Sequence, residues 1–159
     1  MDRRRGFTLM EVLIAIIVMS IGLLGLASMQ ANGLKNTTSA YQRSQAILLA
    51  NEMLDRIRAN QVGMYSGAYD HLLDGATSDP GCITTGCSPA QMAQYDAFQW
   101  SRRVAALLPS GKGIVTGAGH NSIFTITVMW DDERTGATGT NCSGNPAIDL
   151  TCFTLSTRP

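Results

Sequence analysis

The chain of 159 residues has no proline before Pro80 and no cysteine before Cys82, and 12 of its 16 glycines lie beyond residue 60. The front is therefore free of proline, the strongest helix breaker, and most turn-forming and all cross-linking residues sit in the back. Net charge is also missing, with 12 basic and 12 acidic side chains. A nucleic-acid binder would carry a basic excess on its binding face, so that class is disfavoured. A 45% hydrophobic composition with a single long apolar run excludes both a disordered solvating tail and a polytopic membrane protein. Catalytic signatures are absent as well. Neither histidine, His71 or His120, has a metal-spaced partner or a nucleophile motif nearby, and both are expected in exposed loops. Gly111-Lys112-Gly113 and Gly117-Ala118-Gly119 lack P-loop spacing and read as parts of a hairpin, the second run in its turn. The length suits one domain with an appendage, and no cofactor or enzymatic activity is expected.

What the front does contain is a basic start and then an apolar run. Three arginines lie in residues 1–6, and Phe7–Ala27 carries one charge, Glu11, with Thr8 and Ser20 as its other polar side chains. Those 21 residues span about 31 Å as a helix, enough to cross a bilayer's hydrocarbon core. The basic leader would remain cytoplasmic and send the rest outward. A cleaved secretory signal is the competing reading. The run is longer than the usual apolar region and no clean small-x-small site follows it, although Ala27, Ser28 and Ala31 keep that alternative open. Glu11 is the anomaly. A carboxylate at the membrane centre costs roughly 2.5–3.5 kcal/mol and less near the edge. No Lys or Arg lies in residues 7–32, so a cationic partner must come from elsewhere unless Glu11 stays solvated at the interface.

The helical pattern continues to Asn60. Beyond Lys35, Ala46, Leu49, Ala50, Met53 and Ile57 recur at 3–4 residue spacing, with Gln45, Glu52, Asp55, Arg56 and Arg58 on the polar remainder. Asn60 and Gly63 are the expected stop signals. The helix would be about 80 Å long, too long for one small domain. It divides into a membrane half (7–31) and an amphipathic half (32–60) packed on a globular head (61–159). Gly22, Gly25 and Gly33 either soften the helix or let other helices approach closely.

In the head, Ser88-Pro89-Ala90-Gln91 predicts a capped helix running to about Leu107. Met92, Tyr95, Trp100, Val104 and Leu107 are expected to face the core and Arg102-Arg103 the solvent. Phe124, Ile126, Val128 and Trp130 alternate with Thr125, Thr127 and Met129 as a half-buried strand. Residues 113–116 are its expected hairpin partner, and 152–156 a last strand. Four cysteines downstream of an export signal imply two disulfides, with three possible connectivities. Cys82–Cys87 and Cys142–Cys152 are favoured because each pair brackets a loop rich in Gly, Ser, Thr or Asn. The loop between Cys142 and Cys152 could instead reach another subunit. Zinc is disfavoured by the spacing, and no metal is expected.

Gly6-Phe7-Thr8-Leu9-Met10-Glu11, between a basic leader and an apolar run, resembles the signal of type IV prepilins and related pseudopilins. The resemblance implies that a prepilin peptidase cuts between Gly6 and Phe7 and that the new Phe7 amine is methylated. It also implies that Glu11 pairs with the terminal amine of a neighbouring subunit during assembly. Cleavage would leave nine basic and eleven acidic side chains. An α+β lollipop, with a long N-terminal helix packed on a small antiparallel sheet, is that family's architecture. Residues 20–27 running into 41–46, then 55–60 and 124–132, resemble the PilV family of minor pilins, the type IV pilus modification proteins. That likeness implies a subunit that primes pilus assembly and sits at the tip, supporting twitching motility and adhesion. Its partners would be other minor pilins, the major pilin, the prepilin peptidase, the inner-membrane assembly platform and a large tip adhesin. It would sit in the inner membrane with its head in the periplasm before joining an extracellular pilus. A minor pseudopilin of a type II secretion system and a plain signal-anchored envelope protein are the alternatives.

Overall fold

The computed structural model describes residues 8–73, 78–119 and 122–159. Helix α1 runs from Leu9 to Ala59, 51 residues without a break. Thr8 begins it, accepting the Glu11 backbone N–H on both its carbonyl (3.0 Å) and its hydroxyl (3.4 Å). The chain divides into two compact units between Thr38 and Ser39, and α1 supplies residues to both.

The second unit is α+β. After α1 come α2 (Gln61–Tyr65), β1 (His71–Leu72), α3 (Cys82–Thr85), α4 (Pro89–Leu107), β2 (Lys112–Thr116), β3 (Phe124–Trp130) and β4 (Thr151–Thr157). The strands form one antiparallel sheet in the order β1-β2-β3-β4. The C-terminal half of α1 buries Ala46, Leu49, Ala50, Met53 and Ile57, the stripe its periodicity predicts, and adds Gln42 and Leu54. One core cluster joins that stripe to α4 and to the inner faces of β2 and β3. Non-directional apolar burial fixes this packing, and the hydrogen bond from Trp100 Nε1 to the Leu49 carbonyl (2.8 Å) adds a direction to it.

Several expectations need correcting. Met92 and Leu107 are exposed and Tyr95 only half-buried; the buried stripe of α4 is Ala93, Asp96, Ala97, Trp100 and Val104. Two alanines let α4 come close to its neighbours, and the Ser88–Gln91 capping box, present as expected, sets the helix start. Leu108, the C-cap, takes the core position expected of Leu107. Asn60 does end α1, but its side chain accepts from Gly63 N and restarts the chain as α2, so Gly63 is no stop signal. His71 is exposed yet lies in β1, not in a loop, whereas His120 falls outside the described residues.

The strand expected over residues 113–116 is present as β2, which starts one residue earlier, at Lys112. Gly113 lies within β2, where a Cβ would meet the Trp100 ring at 2.5 Å, so glycine is there for close approach. The β2–β3 connection does use Gly117 and Gly119, both tied to Asp70: Gly117 N donates to its carbonyl and Gly119 N to its carboxylate, each at 2.8 Å. Strand β3 is more deeply buried than an ordinary surface strand. Its inner residues are covered as expected, but Thr127 and Met129 on the other face are buried too. The long excursion between β3 and β4 is held by Cys142 to Cys152, Met129's partner in the β3–β4 register.

Candidate functional site

Among its described residues the first unit is Thr8 followed by α1. Its large apolar side chains from Leu9 to Met29 are all exposed. An 18-residue window of α1 reaches a mean hydropathy of 2.6 with none of it buried, and by length and composition this is a helix that could cross a membrane. Three of its hydroxyls are satisfied locally: Ser20 Oγ donates to the Ile16 carbonyl at 2.7 Å, and Thr37 and Thr38 bond back one turn in the same way. A hydroxyl so paired enters lipid at little cost.

Gly6 and Phe7 lie outside the described residues. Glu11 is exposed in the first turn of α1, and among the described residues no cation pairs with its carboxylate. The Thr8-x-x-Glu11 spacing is that of a capping box, a signal the sequence reading passed over; the structure shows its Thr8 half. A carboxylate in a helix's first turn faces the positive end of the helix dipole, which offsets part of the cost of placing it in an apolar segment. Gly22, Gly25 and Gly33 have open space where a Cβ would be.

The second unit carries a polar clasp between helices that hydrophobic periodicity does not reveal. Asp96 on α4 is buried; its Oδ1 accepts from Arg56 on α1 at 2.9 Å and its Oδ2 from the Tyr69 hydroxyl at 2.6 Å. Arg56 also bonds Glu52 (2.9 Å) and Gln99 (3.2 Å), and Arg103 reaches Glu52 at 2.9 Å. Asn60 Nδ2 links the Tyr69 oxygen to the Pro89 carbonyl at the head of α4. Burial opposes the charge on Arg56, but hydrogen bonds to Glu52 and Asp96 outweigh it and its pKa is raised. Burial, reinforced by the Asp96 carboxylate, holds the Tyr69 phenol well above its ordinary value. The open groove of about 520 Å³ beside this clasp is lined by Arg56, Tyr95, Phe98, Gln99, Arg102 and Arg103. Its cations already have partners, Arg102 lying over the Phe98 ring at 5.5 Å.

Cys82 is bonded to Cys87 and Cys142 to Cys152. The first bond brackets the exposed turn α3 just before α4. The second pins an excursion that is itself ordered by two carboxylates. Asp131 accepts from the backbone N–H groups of Thr135 and Gly136. Asp149 accepts from those of Asn141 and Ser143, and Ser143 leads the hydrogen bonds that lower its pKa. These carboxylates are turned toward N–H donors, the opposite of a cation cage, and no metal-holding cluster occurs among the described residues. The site residues thus fall into two groups: Glu11 in the first unit, and the four cysteines in the second.

The architecture, a long apolar N-terminal helix whose C-terminal half packs against a four-stranded antiparallel sheet, is α+β and pilin-like. Comparison with known families narrows the class. Residues 1–27 match the prokaryotic N-terminal methylation motif, and residues 28–98 match a Tt1218-like family, described as type IV pilin Tt1218. The two matches adjoin and together support a type IV pilin. No curated protein and no solved structure matches the chain. Pilin families are structural rather than enzymatic, and the matches with the apolar helix point to a membrane-anchored protein associated with other pilus components.

Proposed function

We propose that this chain is a minor pilin that helps prime type IV pilus assembly and sits at the pilus tip, supporting twitching motility and adhesion. The observation that carries the reading is the order Gly6-Phe7-x-x-x-Glu11 at the start of an apolar helix with no buried face of its own. Residues 1–6 act as a leader, 7–31 as the membrane half, 32–60 as the half packed on the head and 61–159 as the head. The peptidase hydrolyses the Gly6–Phe7 bond and the freed Phe7 amine is methylated. Glu11 then meets the terminal amine of a neighbouring subunit. Either charge alone is costly in low dielectric, and each removes much of the other's cost, so the pair gives register as well as attraction.

The likeness of residues 20–27, 41–46, 55–60 and 124–132 to the PilV family supports the minor, tip-located role. Its partners are other minor pilins, the major pilin, the assembly platform and a large tip adhesin. Deletion and complementation test this: loss of surface pili and twitching while type II secretion persists is expected. Loss of secretion with pili intact would replace the reading with a secretion pseudopilin.

A further inference from the structure

Apolar burial fixes α1 to the second unit only from Ala46 onward. Between Ser39 and Gln45 a single residue is buried, and it is Gln42. Its side-chain amide stands first in the stripe that Ala46, Leu49, Ala50, Met53 and Ile57 continue. Gln42 is 4% exposed, and among the described residues no donor reaches its Oε1. A buried acceptor left without a donor costs about as much as one hydrogen bond to a charged group returns. One such bond lies a turn earlier. Ser39 Oγ donates to Asp132 Oδ2 at 2.7 Å, and among the described residues no other hydrogen bond or ion pair joins residues 39–45 to anything outside α1. Its acceptor is held ready, because Nε1 of the buried Trp130 donates to Asp132 Oδ1 at 3.0 Å. Residues 39–45 thus have one polar contact that holds them down and one polar group that gains by leaving.

We propose that residues 39–45 form a latched segment of α1, which lifts from the end of β3 while the stripe from Ala46 to Ile57 stays packed, and that the Ser39–Asp132 bond is the latch. Lifting uncovers no buried apolar side chain of the segment itself and gives Gln42 Oε1 a donor from water. The closed state therefore has little beyond the latch bond in its favour. The helix also has a place to bend. Ser44 Oγ bonds back to the Ala40 carbonyl at 2.9 Å, a contact of the kind that bends helices. The segment is about 10 Å of helix, so the packed half of α1 has two lengths. Asp132, kept in place by Trp130, recaptures Ser39 when the segment returns. Ser39, Gln42, Trp130 and Asp132 all lie within the second unit, and the device stands apart from the pilin reading.

The test is fluorine NMR of the full chain in detergent micelles, with 5-fluorotryptophan in place of both tryptophans. Trp130 touches the latch, and Trp100, bonded to the Leu49 carbonyl further along α1, is the control. In Ser39→Ala the open form is expected as a second Trp130 environment, its share about tenfold above that of the parent. Adding Gln42→Met, which fills similar space without an orphan acceptor, should lower that share about tenfold. Trp100 should keep one environment throughout, and urea unfolding checks that each variant is folded. No second Trp130 environment in Ser39→Ala, or a share no larger than the parent's, overturns the proposal. A share that stays the same or grows on adding Gln42→Met also overturns it, because the amide would then not favour lifting. Two environments at Trp100 as well would overturn it too, since the whole stripe would be moving.

Discussion

The Tyr69 hydroxyl donates to Asp96 Oδ2 at 2.6 Å, while the other oxygen of the same carboxylate holds Arg56 at 2.9 Å. One buried carboxylate therefore ties the turn after α2, helix α4 and helix α1 together. Folding keeps the Tyr69 proton that an unfolded chain releases near pH 10. The stability this phenol contributes is fully present below that value and is lost as pH rises above it. Tyr69→Phe should flatten that alkaline loss and cost about 1–2 kcal/mol at neutral pH, since Asp96 loses a donor. Urea titrations of both proteins between pH 7 and pH 11 check it.

Gly113 gives the Trp100 ring its place against β2. Gly113→Ala puts a methyl into that contact and should destabilise by about 1–3 kcal/mol, with a change in tryptophan fluorescence. Gly136→Ala serves as a control of another kind: its Cβ would meet open space, but its φ of +81° makes the cost conformational, with no change in the Trp100 environment.

The two disulfides should not be equivalent. On the chain-entropy model each closed loop contributes roughly 2–3 kcal/mol. Replacing Cys142 and Cys152 by serine also frees from β4 an excursion whose Ala137, Asp149 and Leu150 are buried. That double variant should lose more stability than the Cys82/Cys87 one, whose turn leaves Ile83 exposed. Denaturant unfolding of both variants compares them, and non-reducing peptide mapping of the parent confirms the pairing.

Glu11→Ala should leave leader removal largely intact while impairing incorporation into filaments. Immunoblots of processed protein against sheared pili separate the two steps. Normal incorporation would rule out the amine pairing, leaving Glu11 as a first-turn carboxylate favoured by the helix dipole alone.

The legible parts of this chain are those governed by short-range rules. The stripe Ala46–Ile57, the capping box at Ser88 and the strand over Phe124–Trp130 follow from periodicities or fixed spacings, and each is found where it was expected. What could not be read depends on neighbours distant in sequence. Asp96 looks like a solvated helix residue until Arg56 and Tyr69 are brought to it from 40 and 27 positions away. Met129, expected on the open face of β3, is buried there with Thr127. Strand β1, at two residues, carries no pattern at all, and the reason for glycine at position 113 is hidden because its neighbour across the fold, Trp100, is invisible in the local sequence. At the N-terminus the limit is of another kind, because the partner that Glu11 would meet belongs to a different subunit.

The central claim is that this chain is processed and assembled as a pilin. The N-terminal peptide mass of the mature protein, from cells with and without their prepilin peptidase, tests it most directly. A chain beginning at N-methylated Phe7, seen only when the peptidase is present, is the expected result. An intact Met1, or a new terminus near residues 27–31, in cells that have the peptidase would contradict it.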